Sequence, residues 1–138
     1  MDRIDKILNH DLFLYHLGRN NAAEADRRFC RHGMVHFLDV ARIGTIIALE
    51  EGLKIDREWI YAAALLHDCG KHEQYENGIP HEQASARIAP EILKTCGFND
   101  EETGVIVTAI SRHRDPEAAK EKNLNGILYR ADKASRAC

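Results

Sequence analysis

In YAAALLHD two leucines run directly into a histidine and an aspartate, so His67 and Asp68 stand at the end of an apolar helix. A buried carboxylate beside a buried imidazole must be compensated by hydrogen bonds, by an opposite charge or by a metal. Read alone, the pair is equally a satisfied core hydrogen bond or a plain helix end. Other residues of the same chemistry are spread along the chain. His32 and His36 are four apart on one face of a long helix, a spacing that suits a metal. His36 is read as the ligand and His32 as its neighbour. Asp132, in LYRADKASR, sits near the face that turns Leu128, Tyr129 and Ala131 inward; a surface aspartate explains it equally well. His81 opens a helix after Gly-Ile-Pro, where a surface histidine is the ordinary case. His113 ends VIVTAISRH, where the helix dipole favours it. His10, His16 and His72 are read as surface or core fillers.

The elements that must position these residues are helical, because strand signals are nearly absent and apolar residues recur at helical spacing. Ile4, Ile7, Leu8, Phe13, Leu14 and Leu17 predict a first helix ending near Gly18, and RNNAAEADRRF continues it after a break. Residues 33–51 form a long helix closed by Gly52. Asp56 caps a helix over 57–69 that stops at Gly70, and KHEQYENGIP reads as a loop. Pro80 suits the first turn of a helix over 81–96. Asn99 and Glu102 form a capping box for a helix over 100–112. Arg114-Asp115-Pro116 breaks that helix, a short turn covers 117–122, and a last helix runs over 124–137. The expected fold is an all-α, single-domain bundle of six or seven helices over residues 1–138. The chain stops at Cys138, soon after Asp132, so truncation of the last helix is left open.

The bulk properties narrow the function classes. A chain of 138 residues fits one domain, and 44% hydrophobic content can bury a core. The net charge of −3, with Lys and Arg scattered, offers no footprint for a nucleic acid polymer. No apolar run reaches the roughly 18 residues of a membrane span. MDRIDKILNH lacks the apolar core of a signal peptide. Cys30, Cys69, Cys96 and Cys138 are widely spaced without a CxxC pair, which reads as reduced thiols and a cytoplasmic protein. Eight histidines in so short a chain direct attention to metal binding.

His36 in HFLDVAR, His67-Asp68 in LLHDCGK and Asp132 in YRADKASR occur in the order H…HD…D. This pattern resembles the HD-domain superfamily of metal-dependent phosphohydrolases, from about residue 28 to the end. The resemblance implies a helical bundle with its site between helices. It implies one divalent ion on His36, His67, Asp68 and Asp132. In members with two ions the aspartate of the HD pair bridges them, and two further histidines hold the second. Here those are His81 and His113, and the six-ligand form is preferred. One departure matters. The subgroup that cleaves cyclic di-GMP carries a GYP signature, which this chain lacks; Gly78-Ile79-Pro80 lies elsewhere. That substrate is not assigned.

Imidazole and carboxylate together suit Fe, Mn, Co, Ni or Zn, with Mg an option at the second position. Two such ions clamp a phosphoryl oxygen and activate water. Asp68 would be both bridge and catalytic residue. Gly70 lets the backbone turn, so Lys71 could reach a substrate phosphate and stabilise its developing charge. The alternative for Lys71 is a solvated lysine. Arg114 is a second candidate for substrate binding, and Glu73, Gln74 and Tyr75 are weaker pocket-lining candidates. Asp39 and Arg42 read as an ion pair. The expected function is hydrolysis of a phosphomonoester or phosphodiester, of a nucleotide or small phosphorylated metabolite. The alternatives are a non-catalytic metal-binding regulatory module and a di-iron oxygenase of the same fold. The expected partner is the phosphorylated substrate, with no nucleic acid polymer and no membrane; the oligomeric state is open.

Overall fold

The computed structural model describes residues 1–26 and 32–135. Within them the chain forms α1 (Asp2–Leu8), α2 (Asp11–Ala23), α3 (Met34–Glu50), α4 (Arg57–Leu66), α5 (Lys71–Asn77), α6 (His81–Thr95), α7 (Asp100–Ser111) and α8 (Leu124–Ser135). A 3-10 turn, Pro116–Lys120, precedes α8. There is no strand among the described residues, so the fold is all-α as the periodicity predicts. Among the described residues no helix is long and apolar enough to cross a membrane. Cys69 and Cys96 are buried free thiols, while Cys30, Cys138 and the predicted last turn beyond residue 135 lie outside the described residues.

Caps place several helix starts where the sequence predicts them. Asp56 accepts a 2.8 Å bond from the Glu58 amide. Asn99 and Glu102 exchange bonds of 2.8 and 3.1 Å in a reciprocal capping box.

Two segments differ from the sequence expectation. The first apolar stretch is broken at Asn9 and His10, not at Gly18. The His10 ring accepts a 3.1 Å bond from the Leu12 amide and so caps α2, which then runs through Gly18 to Ala23. The polar stretch KHEQYENGIP holds a helix, α5, in place of a loop. It closes on Gly78, whose φ of +72° is the left-handed conformation that glycine adopts cheaply.

The core is built around α4. Ile60, Ala62, Ala63, Ala64, Leu65 and Leu66 are all buried, so the helix is apolar on every side and must be central. It packs against α1, α3, α6, α7 and α8. Its alanines keep that crowded helix thin. Phe37 from α3, Ile92 and Leu93 from α6, Ile106 and Ile110 from α7 and Ile127 from α8 complete the interior. Helix α5 lies outside this layer, against α2 and α6.

Between α4 and α5 the chain turns at Cys69 and Gly70. Gly70 has an ordinary φ of −94°, so the glycine is not needed for the turn itself. It is needed for space: a Cβ there would lie 2.7 Å from the Ala84 Cβ and 2.7 Å from the Ser85 amide nitrogen of α6. Because backbone atoms form part of that wall, Gly70→Ala is expected to destabilise the protein by about 1–3 kcal/mol. A urea unfolding curve checks this; an unchanged midpoint would show that α5 and α6 separate freely.

Candidate metal centre

Six side chains from five helices meet at one end of the bundle, and each sits at or near a helix terminus. His36 is in the first turn of α3, and His81 opens α6. His67 and Asp68 follow α4 directly, His113 follows the end of α7, and Asp132 is in the last turn of α8. All but His36 are buried, and His36 is nearly so, with 9% of its side chain exposed.

Each histidine has one ring nitrogen committed away from the centre. Nδ1 of His67 donates to the Ala64 carbonyl at 2.6 Å, and Nδ1 of His113 to the Ile110 carbonyl at 2.7 Å. Both carbonyls belong to the last turn of the preceding helix, where i→i−4 partners run out; that of Ile110 also accepts from the His113 backbone amide at 3.3 Å. Nδ1 of His36 lies 3.1 Å from the Ser135 hydroxyl. That hydroxyl donates to the Asp132 carbonyl at 3.0 Å, which leaves its lone pairs to accept from His36. Nδ1 of His81 donates to Gln74 Oε1 at 2.6 Å. These partners set the tautomer of every ring, and Nε2 of all four turns inward.

The inward atoms form two sets joined by one carboxylate. Nε2 of His36 and Nε2 of His67 are 3.2 Å apart, and they face Asp68 Oδ2 at 3.3 and 3.1 Å. The same two nitrogens face Asp132 Oδ1 at 3.2 and 3.4 Å. On the other side Nε2 of His81 and His113 are 3.1 Å apart and face Asp68 Oδ1 at 3.4 and 3.3 Å. Neither oxygen of Asp68 accepts a hydrogen bond. Donor atoms about 2.1 Å from a shared ion are roughly 3.0–3.4 Å from each other, which is the spacing seen here. Two bare imidazole nitrogens repel at that distance; a cation between them removes the repulsion. The donor atoms therefore fit divalent ions in two groups, His36 with His67, Asp68 and Asp132, and Asp68 with His81 and His113.

The HD domain family matches residues 33–137, a span holding all six of these side chains. The chain belongs to the HD-domain family. An uncharacterized protein from Clostridium beijerinckii is 50% identical to this HD domain over 138 residues, all of this chain and 86% of its own. The solved structure of a predicted HD superfamily hydrolase from an uncultured Thermotogales bacterium shares its fold, with a TM-score of 0.67 at 28% identity. That match covers 87% of this chain and 66% of the other, so this chain spans about two thirds of that protein's length.

The electrostatics of the HD cluster divide along the same line as its geometry. Burial disfavours a charged His67, but the Asp68 and Asp132 carboxylates outweigh it and push the imidazole up to about 10. His36 is raised too, against its burial, by its contacts with Asp132 and Asp68. Burial would raise both aspartates, yet the imidazoles around them hold Asp68 and Asp132 well below the carboxylate range. His81 goes the other way. Burial lowers it to about 3; Asp68 opposes this, while Lys71, His113 and Arg114 reinforce it.

Around the centre, Lys71 is half-buried at the start of α5, its ammonium 3.4 Å from His81 Nδ1 and 5.6 Å from the Tyr75 ring centre. Arg114 is exposed, with its charge felt at His81. Of the three candidate lining residues on α5 only Gln74 bonds to a residue of the cluster. Glu73 accepts from Arg87 at 2.6 Å, and the Tyr75 hydroxyl donates to Glu24 at 2.6 Å. His32 turns Nδ1 to the Glu24 carboxylate and stacks edge-on against His36, with 5.6 Å between ring centres, as a neighbour of the centre. His16 and His72 form a stacked buried pair against each other, 2.9 Å between ring nitrogens. The predicted Asp39–Arg42 ion pair does not form, and each side chain is left to solvent on the half-exposed flank of α3.

Two positioning residues escaped the sequence analysis. Asn20, fully buried on α2, donates to the Asp68 carbonyl at 2.8 Å and accepts from the His72 amide at 2.9 Å. It splints the break between α4 and α5. Ser135 supports His36 as described above. A serine three residues after the aspartate was a legible signal; an asparagine in the polar run RNNAAEADRRF was not.

The pKa directions give a signed expectation. His67 has a folded value above its ordinary 6.5, so its stabilising contribution is complete below about pH 6.5 and is lost as the pH climbs towards about 10. The aspartates, held low, contribute above their ordinary range and lose that contribution in acid. The metal-free protein should therefore melt at progressively lower temperature between pH 7 and about 10. Loading with a divalent ion, which replaces those protons, should flatten the fall. Parallel slopes with chelator and with metal would count against a metal centre here.

Proposed function

We propose that this HD domain is a metal-dependent hydrolase of a phosphomonoester or phosphodiester bond, in a nucleotide or a small phosphorylated metabolite. The observation that carries the reading is the division of Asp68 between two imidazole pairs, one oxygen to each. Family membership and the likeness to a predicted HD superfamily hydrolase from the Thermotogales bacterium support it. On this reading His36, His67, Asp68 and Asp132 hold one ion, and Asp68, His81 and His113 hold a second. The imidazole-rich donor set favours Fe, Mn, Co, Ni or Zn over Mg. Ions held there would supply two things: a water with its pKa lowered towards neutrality and polarisation of a phosphoryl oxygen.

The protein's own residues do the rest. Asp68 neutralises charge on both sides of the centre and fixes its spacing. The four Nδ1 partners stop the rings from swinging, so the Nε2 atoms keep their aim when substrate arrives. Lys71, whose ammonium lies beside His81, would approach a phosphate oxygen and offset the negative charge that grows there in the transition state. Arg114, the exposed residue that follows His113 in the chain, would bind a more distant anionic group of the substrate.

The test is turnover. Protein loaded with Mn2+ or Fe2+ should hydrolyse members of a panel of nucleotides and aryl phosphate mono- and diesters, and chelation should abolish this. Lys71→Ala should lower kcat/KM about 100-fold with metal content unchanged. Asp68→Asn should lose both metal and activity. If no panel member turns over while metal raises the melting temperature, the domain is a metal-binding module and the hydrolase reading fails.

A further inference from the structure

Three of the four histidines are anchored by the helices that form the core. His67 and His113 bond to carbonyls of the helix each one follows, and His36 bonds to Ser135 on α8, a helix packed along α3. His81 is the exception. Its anchor is a side chain from α5, the short helix outside the core.

The polarity of that anchor follows from one fixed donor. The His81 backbone amide lies 3.1 Å from the Gln74 side chain, and a backbone N–H can only donate. The Gln74 atom facing it must therefore be the carbonyl oxygen, since the NH2 group would place donor against donor. That same oxygen lies 2.6 Å from Nδ1, so Nδ1 must carry the ring proton and Nε2 must be bare. Lys71, 3.4 Å from Nδ1, has no lone pair and cannot substitute for Gln74. Gln74 thus sets both the tautomer of His81 and the position of the first residue of α6.

We infer that Gln74 is the positioning residue of the second ion alone, so that α5 controls how firmly the Asp68–His81–His113 set binds metal while the first ion is indifferent to it. The inference rests on the two-ion reading above. The second set has three donors against four in the first, so the loss of one oriented imidazole is felt more strongly there.

The probe is Mn2+, titrated into metal-free protein while free Mn2+ is counted by electron paramagnetic resonance. Wild type should take up two ions. Gln74→Ala should keep the first with unchanged affinity and bind the second about 10–100-fold more weakly. Gln74→Met, which fills the space without an acceptor, should behave like Gln74→Ala and serves if the smaller side chain prevents folding. Gln74→Glu, which retains an acceptor for both bonds, should restore the second ion. Ser135→Ala should show the opposite pattern, weakening the first ion and sparing the second. A merely structural defect would lower both affinities together, and that outcome overturns the role of Gln74. So does a Gln74→Met protein that binds two ions as tightly as wild type. A wild type that takes up a single ion overturns the two-ion reading and this inference with it.

Discussion

Asp68 sets the terms for the rest of the molecule. Its side chain is almost wholly buried, and neither oxygen accepts a hydrogen bond. A carboxylate in that position costs several kcal/mol unless positive charge is brought to it. Four imidazoles surround the centre, but each has already committed its Nδ1 to another partner. Only the Nε2 atoms remain, and they can meet Asp68 in one of two ways: as protonated cations or as ligands of a shared metal. The first way places like charges about 3 Å apart, between His36 and His67 and again between His81 and His113. The second satisfies oxygens and nitrogens together. The donor set therefore makes chemical sense as a cation site, whatever reaction the cation serves.

A buried carboxylate also needs a backbone that delivers it, and here the delivery depends on stopping a helix. Helix α4 is apolar on every side and would run on without penalty until it met a polar residue. The chain leaves the helix after Leu66, and several of the groups released at the break are taken up by side chains. Asn20 bridges the Asp68 carbonyl and the His72 amide, the Gly70 amide donates to the Ser85 hydroxyl at 2.9 Å, and the His67 ring takes the Ala64 carbonyl. Satisfying these groups inside the protein keeps the break from being a site of local unfolding, since a buried unpaired backbone group costs about as much as a lost hydrogen bond. The absence of a side chain at Gly70 then lets α6 approach closely enough to bring His81 to the centre.

Much of this was legible in the sequence, and the reasons for the exceptions are physical. The long periodic helices, the Asp56 cap and the Asn99–Glu102 box are local signals, and the structure follows them. The split at His10 was hidden because a histidine cap is an uncommon substitute for Ser, Thr, Asp or Asn. Helix α5 was hidden because seven polar residues carry almost no apolar periodicity; its stability comes from packing against α2 and α6. The six cluster residues could be named because a histidine or aspartate at the end of an apolar stretch is conspicuous. Their partners were harder to read: Gln74 stood out only as one of three lining candidates, Ser135 only by its distance from Asp132, and Asn20 not at all, because their importance lies in what the fold sets beside them. Gly70 was noticed for the wrong property: it serves close approach, not conformational freedom.

The placement of all six side chains at helix ends explains how five helices can share one point. Helix bodies pack about 8–10 Å apart, too far for short side chains in mid-helix to converge. At the ends the chain leaves the packing direction, and long imidazoles pointing through Nε2 cover the remaining distance. Three of the contributing ends are C-termini, those of α4, α7 and α8, whose partial negative charge favours a cation. At two of them a histidine caps its own helix: its ring donates to a carbonyl of the last turn, and that bond also orients the ring. Helix termination and ligand orientation are then coupled at these two ends, so the aim of His67 and His113 is tied to the helices they follow. His81 and His36 stand in the first turns of their helices, where amides and not carbonyls are left over. Their rings must therefore borrow acceptors from elsewhere, and the two borrowed acceptors, Gln74 and Ser135, lie on different helices and on different sides of Asp68.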